Sequence, residues 1–112
     1  MLEIIVRSDV IEVGDRSGGL IKRIDAEDNG HDFHQLSAVL QQVKARFPDK
    51  LDATVLLEPE IAYDTLVQVM DSVRAAPVVQ AGSLQLAELF PEISIGDAPP
   101  AKLRTAERGP KK

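Results

Sequence analysis

The chain has no cysteine and no tryptophan, and only three phenylalanines and one tyrosine among 112 residues. Without thiols there is no disulfide framework, no thiolate metal site and no cysteine nucleophile. With so few rings, the core has to be built from Val, Ile and Leu. No apolar run approaches the ~20 residues that cross a bilayer as a helix. Six serines stand outside any nucleophile-elbow setting, since Gly-x-Ser-x-Gly does not occur. The segment "GDRSGG" lacks the Gly-Lys-Ser/Thr ending of a phosphate loop.

What is present describes one folded domain. Hydrophobic residues make up 44% and charged residues 28%, a balance expected of a soluble globule rather than a disordered chain. The formal net charge of −5 is unevenly spread. From Asp97 onward five Lys/Arg face two Asp/Glu, so residues 1–96 carry eight positive against sixteen negative groups. Nucleic acid is a poor partner for so acidic a body, because phosphate binding needs a basic surface.

"LEIIVR" (Leu2 to Arg7) is β-branched and reads as a strand. "VIEVGD" and "LIKRIDAED" read as a hairpin about Gly18-Gly19, where a tight turn needs positive φ. From Asp32, the residues Phe33, Leu36, Leu40, Val43 and Phe47 form one helical stripe, with Asp32 as cap and Pro48 as stop. "ATVLLE" (Ala53 to Glu58) is a short buried strand. Tyr63, Leu66, Val67, Met70 and Val73 form the stripe of a second helix ended by Pro77. Val78 to Phe90 reads mostly as loop, and "EISIGD" as a last strand. The expected fold is a two-layer α/β sandwich of order β-β-α-β-α-β, with two helices on one face of a small four-stranded mixed sheet. The domain spans residues 1–97, and residues 98–112 form a flexible basic tail. A sheet edge or the uncovered sheet face is left to meet a partner.

Candidate chemistry is sparse. Asp25, Glu27, Asn29 and Gly30 sit at calcium-loop positions, but Leu36 stands where the bidentate Glu is required. These residues read as an acidic turn before a helix. His31 and His34 are the only histidines, with Asp28 and Asp32 nearby, and nothing in the chain supplies the rest of a zinc ligand set. Asp71 and Arg74 read as a solvated i,i+3 ion pair. No catalytic residue, metal site or cofactor is expected, and the chain does not read as an enzyme.

"YDTLVQVMDSVRAA" nevertheless has a recognisable setting. The run "VLLEPEIAYDTLVQVMDSVRAA" with the ending "ELFPEISIGDAP" resembles the periplasmic domain of the ExbD/TolR family of biopolymer-transport proteins. The likeness covers about residues 2 to 99, and its family-motif positions are Tyr63, Val69, Met70 and Asp71. The chain departs from the best-known members at Pro77 to Glu88, where they have a short Gly-containing turn, and in its longer tail.

The resemblance implies an accessory subunit of a proton-motive-force-driven motor. Such a subunit is held in the bacterial inner membrane by one N-terminal helix, with this domain in the periplasm. It works as a homodimer beside an ExbB/TolQ-like channel and engages a TonB/TolA-like energy-transducing protein. Peptidoglycan is a further partner of some TolR-like members. The abrupt start at "LEIIVR" fits a chain cut just past the membrane helix. Recognition is then expected at a sheet edge, with Leu2, Ile4 and Val6 in one candidate edge strand and Glu92, Ile93 and Ile95 in the other. The competing reading is a soluble regulatory α/β domain with a pocket for a small effector.

Overall fold

The structure is a computed structural model that describes residues 1–15, 19–28 and 30–99. In chain order its elements are β1 (Leu2–Val6), β2 (Val10–Asp15), β3 (Gly19–Asp25), α1 (Phe33–Arg46), β4 (Asp52–Leu57), α2 (Tyr63–Arg74), β5 (Ala75–Gln80), β6 (Ser83–Glu88) and β7 (Glu92–Asp97). Five strands form one sheet in the order β3-β2-β1-β4-β7, and β5 pairs with β6 in a sheet of two. β1, β2 and β3 are mutually antiparallel neighbours, whereas β1, β4 and β7 run parallel. The result is a mixed, two-layer α/β sandwich.

Alternation along the strands decides which face is covered. Ile4 lies level with Val13 on one side and Val55 on the other, and Val6 with Ile11. These side chains, with Ile24 and Ala53, are buried against Leu36, Leu40, Val69 and Val73 of the two helices. α1 lies over the β3 side of the sheet and α2 over β4 and β7. The opposite face, with Glu3, Ile5, Leu56 and Ser94, has no helix over it among the described residues.

The ends of the helices follow from local chemistry. Asp32 accepts a hydrogen bond from Gln35 N at 3.0 Å, the N-cap expected for α1. α2 has no such cap at Ala62. At its C-terminus, Phe90 N donates to Val73 O (3.0 Å) and Leu89 N to Arg74 O (2.7 Å). The returning chain thus satisfies carbonyls that the end of a helix leaves free.

Four expectations need correction. Three strands precede α1, not two, because Ser8 and Asp9 form a tight turn closed by Arg7 N to Val10 O at 2.9 Å. Val78 to Phe90 is not mostly loop, since it holds most of the β5–β6 hairpin. Its turn is Ala81-Gly82, both with positive φ (52° and 78°), as a two-residue hairpin turn requires. The core-facing line of α2 is the buried Val69 and Val73 with the partly buried Leu66, rather than one through Tyr63 and Val67. At 3.6 residues per turn Leu66, Val69 and Val73 fall within roughly 60° of arc, while Tyr63 stands 76% exposed. Phe47 is half exposed because the chain leaves helical geometry there (φ −131°, ψ 65°) and turns it off the stripe.

Candidate functional site

A five-stranded sheet has two edges, and here they are β3 and β7. The expectation that Leu2, Ile4 and Val6 lie on an edge strand is overturned, because β1 sits in the middle with β2 on one side and β4 on the other. All three side chains are buried. The signal was in the sequence: "LEIIV" is nearly continuous in apolar residues, as a strand flanked on both sides tends to be. Glu92, Ile93 and Ile95 do lie on an edge.

The two edges are not alike. β3 carries Lys22, Arg23 and Asp25, and a β-bulge interrupts its pairing at Val13/Gly14. Charge and bulging are both devices that blunt an edge. β7 has neither between its ends: Ile93, Ser94, Ile95 and Gly96 are uncharged, and its register with β4 is unbroken from Asp52↔Glu92 to Leu57↔Asp97. Glu92 N donates to Leu51 O (3.0 Å) and Ala98 N to Leu57 O (2.9 Å), so even-numbered residues turn their backbone toward β4. By alternation, Ile93, Ile95 and Asp97 turn theirs outward, and no strand meets them among the described residues. Ile93 packs against the core, whereas Ile95 remains 52% exposed. Glu92, Asp97 and Asp52 make the rim acidic, which suits an extended segment bearing basic residues.

The family-motif residues occupy the helix beside this edge. Val69 is fully buried over the sheet and Met70 is partly buried. Tyr63 and Asp71 face solvent. Asp71 and Arg74 are not within ion-pair distance, so the expected i,i+3 pair does not form. The motif therefore joins α2 to the sheet through Val69 and leaves two polar groups outside.

Sequence reasoning missed a chain of charges on the uncovered face. Arg7 is 3% exposed, and its Nη1 donates to Glu58 Oε2 at 2.9 Å and to Pro99 O at 2.8 Å. Its Nε lies 3.6 Å from Glu12 Oε1, and Arg23 Nη1 lies 3.7 Å from Glu12 Oε2. Glu58 Oε1 also accepts from Ser8 N at 3.1 Å. One guanidinium thus ties together the C-terminal ends of β1, β4 and β7. Period-two alternation already puts Arg7 and Glu12 on one face across a tight turn; the contribution of Glu58 depends on the parallel register and could not be read. Ala98 and Pro99, placed in the tail by the sequence, are bonded to the sheet here. The rest of that expected tail lies outside the described residues.

A cleft of about 530 Å³ opens at the same end of the parallel strands, lined by Ser8, His31, Phe33, Glu60, Ile61 and Thr65 among others. His31 stands edge-on to Phe33, and its Nδ1 is buried without a hydrogen-bond partner. His34 is exposed. Among the described residues no three His, Asp or Glu side chains converge as a metal site would require. Asn29 of the calcium-like segment lies outside the described residues, and the backbones of Glu27 and Gly30 bond to each other (2.8 and 3.0 Å).

Comparison with known proteins found no matching family model, no matching curated protein and no matching solved structure.

Proposed function

We propose that this chain is a strand-accepting interaction module, the periplasmic part of a motor accessory subunit of the ExbD/TolR kind. Its β7 edge takes up an extended segment of a TonB- or TolA-like protein, coupling proton-motive force at the inner membrane to work at the outer membrane. The sequence likeness at Tyr63–Asp71 and Glu88–Pro99 supports the family. The homodimer, the ExbB/TolQ-like channel, the membrane helix and the peptidoglycan contact come with that likeness. The observation that carries the reading is the unguarded edge: outward backbone at Ile93, Ile95 and Asp97, no bulge, and no charge between Glu92 and Asp97. An arriving strand would continue the β4–β7 ladder and lay side chains beside the exposed Ile95.

The test is a titration of the labelled domain with a basic, extended peptide from the periplasmic stretch of a TonB-like protein. Amide shifts should concentrate at residues 92–97 and be lost in Ile95→Pro. That substitution removes an outward N–H and leaves the bonds to β4 in place. Shifts confined to α1 and α2 would overturn the edge reading. The cleft at His31 favours a second reading, a regulatory domain for a small effector, since it lies outside the carboxyl ends of parallel strands where α/β proteins hold ligands. Perturbation at Ser8, His31 and Thr65 on titration with small polar metabolites, with residues 92–97 silent toward the peptide, would select it.

A further inference from the structure

The β5–β6 hairpin stands where the chain departs from the family it resembles, and the strand-capture reading leaves it without a task. Its base is secured by Ala76, Leu89 and Phe90, all buried. Beyond that base it is a two-stranded ribbon, which is marginal in water on its own. Val79, Leu84 and Leu86 are 72%, 74% and 76% exposed. The register pairs Pro77 with Leu86 and Val79 with Leu84, so these four apolar side chains share one face.

The backbone makes the two edges of the ribbon unequal. Leu89 N donates to Arg74 O, which marks that pair as hydrogen-bonded. Counting on by twos along the register, Ala76–Ala87, Val78–Gln85 and Gln80–Ser83 bond within the hairpin. Pro77 and Val79 on β5, and Leu84 and Leu86 on β6, therefore turn their backbone outward. Proline has no N–H, so Pro77 blunts the β5 edge at no cost to the ladder. β6 keeps outward N–H and C=O groups at both Leu84 and Leu86. Val79 still turns an N–H and a C=O outward on β5, so β6 is the less interrupted of the two edges rather than the only open one.

The charge pattern says what fits that edge. Residues 75–87 contain no Asp, Glu, Lys or Arg, on a chain of formal charge −5. A second copy can approach here without setting like charges opposite each other, which the acidic remainder of the surface would impose. We propose that β6 is a self-association edge, at which a second copy of the chain pairs its own β6 antiparallel. The product is a four-stranded β5-β6-β6-β5 sheet in which Leu84 and Leu86 meet their counterparts across the junction. Pro77 offers no N–H on the outer β5 edges, which disfavours further pairing there and biases the assembly toward two copies rather than growth. The inference stands apart from the β7 reading, since the two edges belong to different sheets.

A junction of one six-residue strand per copy buries less than the ~1000 Å² of a stable interface, so association should be weak and set in between about 10 µM and 1 mM. Sedimentation equilibrium of the full chain over that range tests it. The wild type should rise toward the mass of two chains, and Ile95→Pro, which blocks only β7, should rise with it. Leu86→Pro copies the device at Pro77 onto β6, and Leu84→Lys places a charge on the open edge. Both should stay at one chain with an unchanged far-UV spectrum. A wild type that stays at one chain throughout overturns the proposal. So does association that survives both β6 substitutions, or that is lost in Ile95→Pro but kept in Leu86→Pro.

Discussion

At Ala81 the backbone is in the left-handed region, φ 52°, with no glycine to relieve it. An L residue there costs about 1–2 kcal/mol, and Asn-Gly is the pair that this turn favours. Ala81→Asn should therefore steady the hairpin by about 1 kcal/mol, slowing exchange of the Val78 and Gln85 amides roughly fivefold in a native-state hydrogen-exchange experiment. Gly14 makes the opposite case. A Cβ built on it would lie 2.9 Å from Gly19 O, a backbone atom held by the bulge of the β2–β3 pair. Gly14→Ala should lower stability by about 1–3 kcal/mol in urea unfolding. Neither site could be read before the register was known, because each depends on backbone geometry that residue types alone leave open. The Asp32 cap could be read, since its partner Gln35 N lies three residues along the chain and the contact is local.

Elements divided in the same way. Both helices were legible as elements because their apolar spacing lies within one short window of sequence. The core-facing line of α2 and its end at Arg74, ahead of Pro77, were not; the last strand, Glu92 to Asp97, was legible too. The place of β1 in the sheet was not read, although its two apolar faces announced it. The hairpin was missed because "VVQAGSLQLAE" lacks the Asn-Gly or Asp-Gly signal, and Ala81-Gly82 does the same work less visibly. Between elements, the clasp of Arg7 on Glu58 and Pro99 is where the sheet is most exposed to single changes. Glu58→Ala leaves a nearly buried guanidinium without its shortest ion-pair contact and should cost about 3 kcal/mol. Arg7→Met combined with Glu58→Ala should cost less than the two single changes added together, which a double-mutant cycle in urea measures directly. Had the pair been solvated, the cycle would close to within about 0.5 kcal/mol.

The whole molecule is a two-layer slab with an arm attached, and the two parts should prove separable. Replacing Pro77–Leu86 with a short Gly-containing turn removes no member of the buried cluster, which draws only on Ala76, Leu89 and Phe90 in that region. The shortened chain should keep its far-UV spectrum and lose no more than about 1 kcal/mol of stability in thermal unfolding. Loss of cooperative unfolding would mean that the arm is part of the core after all. At this scale the layer arrangement was legible from two one-sided helices and a few strands, whereas the division into slab and arm was not, since it rests on which strands pair. The parallel run of β1, β4 and β7 bears also on mechanics. Because the three strands point the same way, Met1 and Asp97 stand at opposite ends of the sheet. A pull on those two points slides β1, β4 and β7 past one another, so their hydrogen bonds are strained together rather than opened one after another. The arm lies off that line of tension, and a protein stretched between these two ends would transmit force while the hairpin hangs slack.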